Sequence, residues 1–241
     1  MKNSSRIPRI SQSPLLRLRV LITAGPTREY WDPVRYFTNS STGAMGIALA
    51  EEAARRGAEV TLILGPTPLR NEEFEVRKKE PLFRKTNFKI PHSAFRIVDV
   101  VSAWDMFEAV KKNLAGTDIF VGSAAVVDYH PAIWSAKKVK RRKPAIMLRL
   151  QSNPDIIAMV GHHPRWRPKL VIGFALETDH LLENARRKLF QKRLDWVVAN
   201  NETAMASATS EAVLLSRWGH LIPVSKMNKK ALAKKIWDRI L

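Results

Sequence analysis

Cysteine is absent from the chain, and its absence removes a disulfide framework, a thiolate nucleophile and a sulfur-based zinc site. A Cys-free chain suits a reducing compartment, and the expected location is cytoplasmic. The 6 histidines are scattered and form no HExxH-like pair, so no metal ligand set is legible. No apolar run approaches the roughly 18 residues of a membrane span, and the N-terminal MKNSSRIPRISQSPLLRLRV is too basic and polar to hold a signal-peptide core. No membrane partner is expected. Two phosphate-binding fingerprints are also missing: GxGxxG does not follow the first strand, and GxxxxGK[ST] occurs nowhere. Acidic residues are few. Against 22 Asp+Glu stand 41 Lys+Arg, a formal charge of +19, which spreads a positive field over the surface and attracts polyanions.

What remains is a globular composition, 241 residues with 45% hydrophobic, enough for one substantial core. Residues 1–16 read as a disordered basic arm and 17–241 as a single α/β domain. LRVLITAG (18–25) is a buried strand closed by Gly-Pro; a loop runs to Thr42, and GAMGIALAEEAARRG is a helix ending on Gly57 as its C′ residue. EVTLILGP (59–66) and FRIVDVV (95–101) read as strands, separated by a charged surface excursion over 67–93. A helix over 102–114, N-capped by Ser102, leads to the strand TDIFVGSAAVVDY (117–129). AIMLRLQ (145–151) is another strand candidate, and NPDIIAMVG a helix opened by Asn153 and Pro154. The strands KLVIGFALE and DWVVANN, with a helix between them, precede a hairpin turning at Trp-Gly-His and a last helix from Lys229. Alternating strands and helices predict a Rossmann-like, doubly wound, mainly parallel sheet with a small antiparallel β extension.

In such sheets ligands bind outside the carboxyl ends of the strands. Four segments fall there: GPTRE, SAAVVDY, GFALET and ANNE. RYFTNSSTGAMG (35–46) runs into a helix N-terminus, where Ser40, Ser41, Thr42, Gly43 and Gly46 either cradle a phosphate or simply cap and pack the helix. Arg35 can hold a carboxylate or phosphate, and Asn39 can donate and accept; both are also ordinary turn residues. KKVKRRK (137–143) is a solvated basic loop, a nucleic-acid patch or a strap over a polyphosphate; it has no interleaved aromatics. Asp128 can meet a ribose or a base, or just start a loop. Phe174 can wall a base or belong to the core.

Taken in order, GPTREYWDPVRYFTNSSTGAMG (25–46), DIFVGSAAVVDY (118–129), KKVKR (137–141), NPDII (153–157), GFALET (173–178) and KLFQKRLDWVVANN (188–201) resemble the phosphopantothenoylcysteine synthetases, or phosphopantothenate–cysteine ligases, of the bacterial CTP-dependent type. The likeness extends from Val20 to the C-terminus. It implies a ligase of coenzyme A biosynthesis that joins 4′-phosphopantothenate to L-cysteine through an acyl-cytidylate, with CTP as substrate and Mg²⁺ assisting. It assigns the pantothenate portion and the intermediate to Asn39, charged substrate groups to Arg35, and the first step to Lys138 on a mobile loop. The nucleotide falls to Gly25, Ser41, Thr42, Gly43, Ala124, Ala125, Asp128, Lys138, Lys140 and Phe174, with Ala124 and Ala125 reading the base through backbone groups. It further implies a homodimer, closed through the 211–224 hairpin or the 130–151 stretch. A separate phosphopantothenoylcysteine decarboxylase is expected downstream, because the family's flavin-binding half is not represented here.

Departures from the family pattern are Thr42 for a second Ser, Ala44 where many members carry Lys, a longer charged 70–93 connection, and ANNE for an Asn-Asp pair. Two rival readings are a nicotinamide-dependent oxidoreductase and a nucleic-acid-binding protein. The first lacks GxGxxG and a Tyr-x-x-x-Lys pair. No specific nucleic acid is expected.

Overall fold

The computed structural model describes residues 14–69, 95–141, 145–201 and 209–241. Eight strands form the main sheet in the order β12-β11-β10-β9-β6-β1-β4-β5. Here β1 is Arg19–Ala24, β4 Glu59–Leu64, β5 Phe95–Asp99, β6 Ile119–Gly122, β9 Leu170–Glu177, β10 Trp196–Asn201, β11 Thr209–Ser216 and β12 Leu221–Asn228. The first six are parallel, and β11 and β12 extend the sheet antiparallel beyond β10.

Strand alternation assigns the two faces. Val20, Ile22 and Ala24 of β1 face a core shared with helices α1 (Ala44–Arg55) and α5 (Lys229–Ile240), whose Trp237 is fully buried and donates its indole N–H to Leu49 O at 3.1 Å. Leu21 faces the opposite core, built on α2 (Ala103–Leu114), α3 (Ile156–Gly161) and α4 (Leu181–Gln191). The chain starts in the middle of the sheet, builds outward through β4 and β5, then returns to place β6 on the other side of β1. That reversal opens a crevice above the ends of β1 and β6.

The local signals act as their chemistry predicts. Ser102 accepts from Asp105 N at 3.1 Å while the Asp105 carboxylate accepts from Ser102 N at 2.9 Å, a full capping box. Gly57 closes α1 at φ 92, and Gly219 gives the β11–β12 turn its positive φ.

Other expectations need correction. The loop expected up to Thr42 contains a hairpin of β2 (Arg28–Tyr30) and β3 (Tyr36–Thr38). The strand expected over 117–129 pairs only as far as Gly122, because the next residues leave the sheet to meet the β1 loop. AIMLRLQ pairs only at its end: β8 (Leu150–Ser152) joins β7 (Tyr129–Pro131) in a separate ribbon. Helix α3 begins after Asp155, whose side chain accepts from Ala158 N at 3.0 Å, so Asn153 and Pro154 do not open it. Of the arm drawn at 1–16, residues 1–13 lie outside the described residues, whereas Leu15 is fully buried in the α1 core. Most of the 67–93 excursion also lies outside them.

The first turn of α1 sits hard against the end of β1. A Cβ built on Gly46 would fall 2.4 Å from Ser123 Oγ and 2.5 Å from Ala24 Cβ. Overpacking of this kind costs about 1–3 kcal/mol, against the roughly 1 kcal/mol that Ala gains over Gly inside a helix. Because one of the clashing atoms belongs to a buried strand, the clash dominates: Gly46→Ala should lower the urea midpoint, and an unchanged or raised midpoint would contradict this packing.

Candidate active site

A cleft of about 680 Å³ opens where the strand order reverses, at the carboxyl ends of β6, β9 and β10 and the N-terminus of α1. Of the residues expected in a site, Asn39, Ser41, Thr42, Gly43, Ala124, Ala125, Asp128 and Phe174 line it; Gly25, Arg35, Lys138 and Lys140 do not.

Whether Ser41 and Thr42 cap the helix or border a cradle is decided by where the helix begins. Helix α1 starts from Gly43 in the left-handed region at φ 76, with no side-chain cap. The hydroxyls stand just outside it: Gly43 N donates to Ser41 Oγ at 3.2 Å, and Ala44 N makes a long 3.4 Å contact to Thr42 Oγ1. Amides in a first helical turn have no intrahelical acceptor, and the helix dipole adds positive potential there. Beneath lies Gly25, also left-handed at φ 80; a Cβ on Gly43 would stand 3.1 Å from Gly25 Cα. Gly25 therefore seats the helix without lining the cleft itself.

Asn39 closes the wall. Its Nδ2 donates to Ala125 O at 3.2 Å and to Val126 O at 3.1 Å, which fixes the amide orientation and leaves Oδ1 as the acceptor for a ligand. Ala125 is a strut: its N–H donates to Gly25 O at 3.0 Å and its carbonyl receives Asn39. Both its N–H and its C=O are thus engaged within the protein. Asn153 holds the next stretch, donating Nδ2 to Val127 O at 2.7 Å and meeting His130 Nδ1 through Oδ1 at 2.9 Å.

Phe174 combines both of its readings, packing against the α1 core and lining the cleft. Its carbonyl accepts from the Nζ of Lys188, which opens the 188–201 block but carries no role assigned by the resemblance. Lys188 on α4 and Lys192, the residue that ends the helix, lie four positions apart and reach the cleft together, with Lys229 from α5 on the same lining. Lys192 pairs with Asp155 at 2.8 Å. Burial pushes the Lys188 ammonium below the usual lysine range, and Lys192 adds to the shift; Glu177, Asp155 and Asp128 oppose it. Burial lowers Lys229 in the same direction. Helical spacing alone could have paired Lys188 with Lys192, but nothing in sequence places that face over the end of β9. Among the described residues no group of three His, Asp or Glu could hold a metal ion.

Arg35, expected to meet substrate, is engaged elsewhere. Its Nε donates to Asp32 Oδ2 at 3.0 Å, its second nitrogen donates to Val139 O at 2.9 Å, and its guanidinium lies 4.1 Å from the Trp31 ring centroid. Lys138 and Lys140 are exposed on either side of Val139.

A family model for the C-terminal domain of DNA/pantothenate metabolism flavoproteins matches residues 15–80 and 83–241. The chain belongs to this family. The coenzyme A biosynthesis bifunctional protein CoaBC of Haemophilus influenzae is 42% identical over 184 residues, covering 76% of this chain and 41% of the relative. That of Escherichia coli K12 is 40% identical over 190 residues, 78% of this chain and 42% of the relative. The chain thus spans less than half the length of these two relatives. The crystal structure of a CoaBC C-terminal domain superposes with a TM-score of 0.70 at 34% identity, covering 94% of this chain and 95% of that one. The shared Rossmann-like α/β fold places this family member's cleft at the sheet's switch point.

An anion arriving beside a lysine whose proton affinity burial has lowered raises that affinity again, so binding at alkaline pH draws in protons. For the free protein the sign is the reverse of a stabilising lysine: stability rises as pH rises through the lowered Lys188 value toward the ordinary one. Calorimetric titration of inorganic pyrophosphate at alkaline pH, in two buffers of different ionisation enthalpy, should show proton uptake by the wild type. Lys188→Arg should bind with less uptake. Equal uptake in both would remove Lys188 from the anion site.

Proposed function

We propose that this chain is a phosphopantothenate–cysteine ligase acting in coenzyme A biosynthesis, with CTP as the activating nucleotide. The observation that carries the reading is the convergence, in one cleft, of the Gly43-started helix N-terminus, three lysines and an Asn39 amide held rigid by two carbonyls. The first two suit a polyphosphate, and the third suits an acyl group awaiting transfer.

In the proposed reaction the carboxylate of 4′-phosphopantothenate attacks the α-phosphorus of CTP, forming the acyl–phosphate bond and expelling pyrophosphate. The amine of L-cysteine then attacks the acyl carbon, the amide forms, and CMP leaves with the bonding electron pair while the amine loses its proton. Positioning and charge neutralisation supply most of the acceleration, so no protein nucleophile is required. Lys188, Lys192 and the α1 amides offset the polyphosphate charge, and Asn39 Oδ1 orients the acyl group. Asp128, exposed on the cleft wall, fits the single carboxylate that a Mg²⁺ accompanying a nucleotide commonly takes from protein; such an ion would supply further charge neutralisation. The product keeps the cysteine carboxylate, so a decarboxylase must follow in the pathway.

Pyrophosphate release should require 4′-phosphopantothenate, run well ahead with CTP over ATP, and yield the cysteine adduct by mass spectrometry. Asn39→Asp, which turns a carboxylate oxygen toward two carbonyls, should still release pyrophosphate but form adduct about 100-fold more slowly. Release with neither nucleotide, or a wild-type rate of adduct formation in that variant, would sink the respective claim.

We further propose that a second copy of the chain packs along the 130–151 stretch. Ile133 is 81% exposed and Met147 98% exposed, and Trp134, Ile146 and Leu150 are exposed as well; the two runs are tied where Ala132 N donates to Arg149 O at 2.9 Å, and such an apolar strip marks an interaction surface. Self-association suits this strip because each copy offers the other the same apolar surface about a two-fold axis. Trp134→Glu combined with Met147→Glu should halve the mass seen by sedimentation equilibrium; a monomeric wild type, or an undisturbed dimer, would contradict the assignment.

A further inference from the structure

We infer that Asp32 is a positioning residue for the basic segment 137–141, acting on the ligase reaction through Lys138, an inference that rests on the proposed activity and on the part in its first step that the resemblance gives Lys138. The carboxylate is completely buried, although it sits at the tip of a short surface hairpin between β2 and β3. Its two oxygens do different work. Oδ1 accepts from Val34 N and Arg35 N, both at 2.9 Å, and builds the turn itself. Oδ2 accepts from Arg35 Nε at 3.0 Å and, across more than a hundred residues of chain, from Val139 N at 3.1 Å.

Arg35 completes the clasp from the other side by donating to Val139 O at 2.9 Å. A second tie lies four residues earlier, where Ser135 N donates to Trp31 O at 2.9 Å. Val139 therefore has both its N–H and its C=O held by the hairpin tip, while Lys138 and Lys140 on either side remain exposed. Consecutive Cα atoms are about 3.8 Å apart, so fixing Val139 confines the roots of both lysines and leaves their side chains to sweep. The charge-assisted bonds from Arg35 hold the Asp32 carboxyl well below the usual carboxylate range, which keeps the clasp closed through neutral and moderately acidic pH.

The same hairpin ends at Thr38, one residue before Asn39. Its base thus carries the amide that closes the cleft wall, and its tip carries the anchor of the basic segment. A ligand contact by Lys138 would then be set in place by a carboxylate that touches no substrate.

Asp32→Asn separates these roles, because Oδ1 can still accept from the turn amides while an NH₂ now faces the Arg35 and Val139 donors. The test combines Asp32→Asn, Lys138→Gln and the double variant with two readouts. One is kcat and KM for nucleotide in pyrophosphate release. The other is the rate at which trypsin cuts the native protein after Lys138 and Lys140, relative to sites on α4. Asp32→Asn is expected to cut several-fold faster in the basic segment only, and to lower kcat by about 100-fold, the scale of a misplacement of about 1 Å. In the Lys138→Gln background it should lower kcat no further. A loss that multiplies in the double variant, or unchanged cleavage after Lys138 and Lys140, would overturn the inference. If the wild type releases no pyrophosphate, the ligase reading fails by itself, and the cleavage rates still decide whether Asp32 holds the segment. Should Asp32→Asn fail to fold, Arg35→Lys, which loses the paired contact to Asp32 and Val139, takes its place in the same cycle.

Discussion

The structure depends on how closely the first turn of α1 approaches the end of β1. Gly25 and Gly43 meet in left-handed conformations, a Cβ on Gly65 would strike Pro26 O at 1.9 Å, and Gly46 abuts Ala24 and Ser123. Side chains at these positions would lift the helix away from the sheet, and with it the amides that face the cleft. The same contact region passes force in the other direction. Ala125 N binds Gly25 O, Thr27 Oγ1 receives Val127 N at 3.0 Å, and Ser123 Oγ donates to Thr23 O at 2.6 Å. The residues after β6 are thereby bound to the loop after β1, which is why they leave the sheet at Gly122 and form a wall.

Electrostatics then works against that packed floor. Burying the Lys188 ammonium near a second lysine costs free energy in the unliganded protein, and the cleft accepts that cost because carboxylates at Glu177, Asp155 and Asp128 offset part of it. An arriving polyanion supplies the remaining counter-charge, so the site is pre-arranged for a ligand of high negative charge. Ala44, in place of the lysine common in the resemblance, adds no charge at the helix start. The cations that line the cleft come from α4 and α5 instead, elements that pack on opposite faces of the sheet.

Much of the scaffold was legible because its signals are local. The apolar run of β1, the Ser102 cap, Gly57 and the Trp-Gly-His turn each depend on residues within a few positions of one another. The site was legible in its pieces, since Asn39, Ser41, Asp128 and Phe174 do meet in one cleft. What sequence could not show were choices made by distant partners. Asn153 before Pro154 has the chemistry of a helix opening, but Val127 O and His130 claim its side chain, and Asp155 caps α3. The β2 and β3 strands have three residues each, too few for a period, and owe their pairing to a turn built on a buried carboxylate. Lys188 was invisible because its meaning comes from the Phe174 carbonyl, 14 residues earlier in the chain.

Arg35 shows most clearly why a motif is not yet a mechanism. An arginine four residues before the asparagine of the cleft wall has the donors to bind a charged substrate, and chemistry alone gives no reason to prefer another partner. The fold supplies one: Asp32 is completely buried, its charge needs a donor within the protein, and the guanidinium three residues on provides it. The Arg35 Nη2 that donates to Asp32 has a second N–H for Val139 O, and the hairpin becomes a bracket with the cleft wall at its base and the basic segment at its tip. The requirement to neutralise one buried carboxylate thus fixes the geometry between two regions that the sequence separates by about a hundred residues.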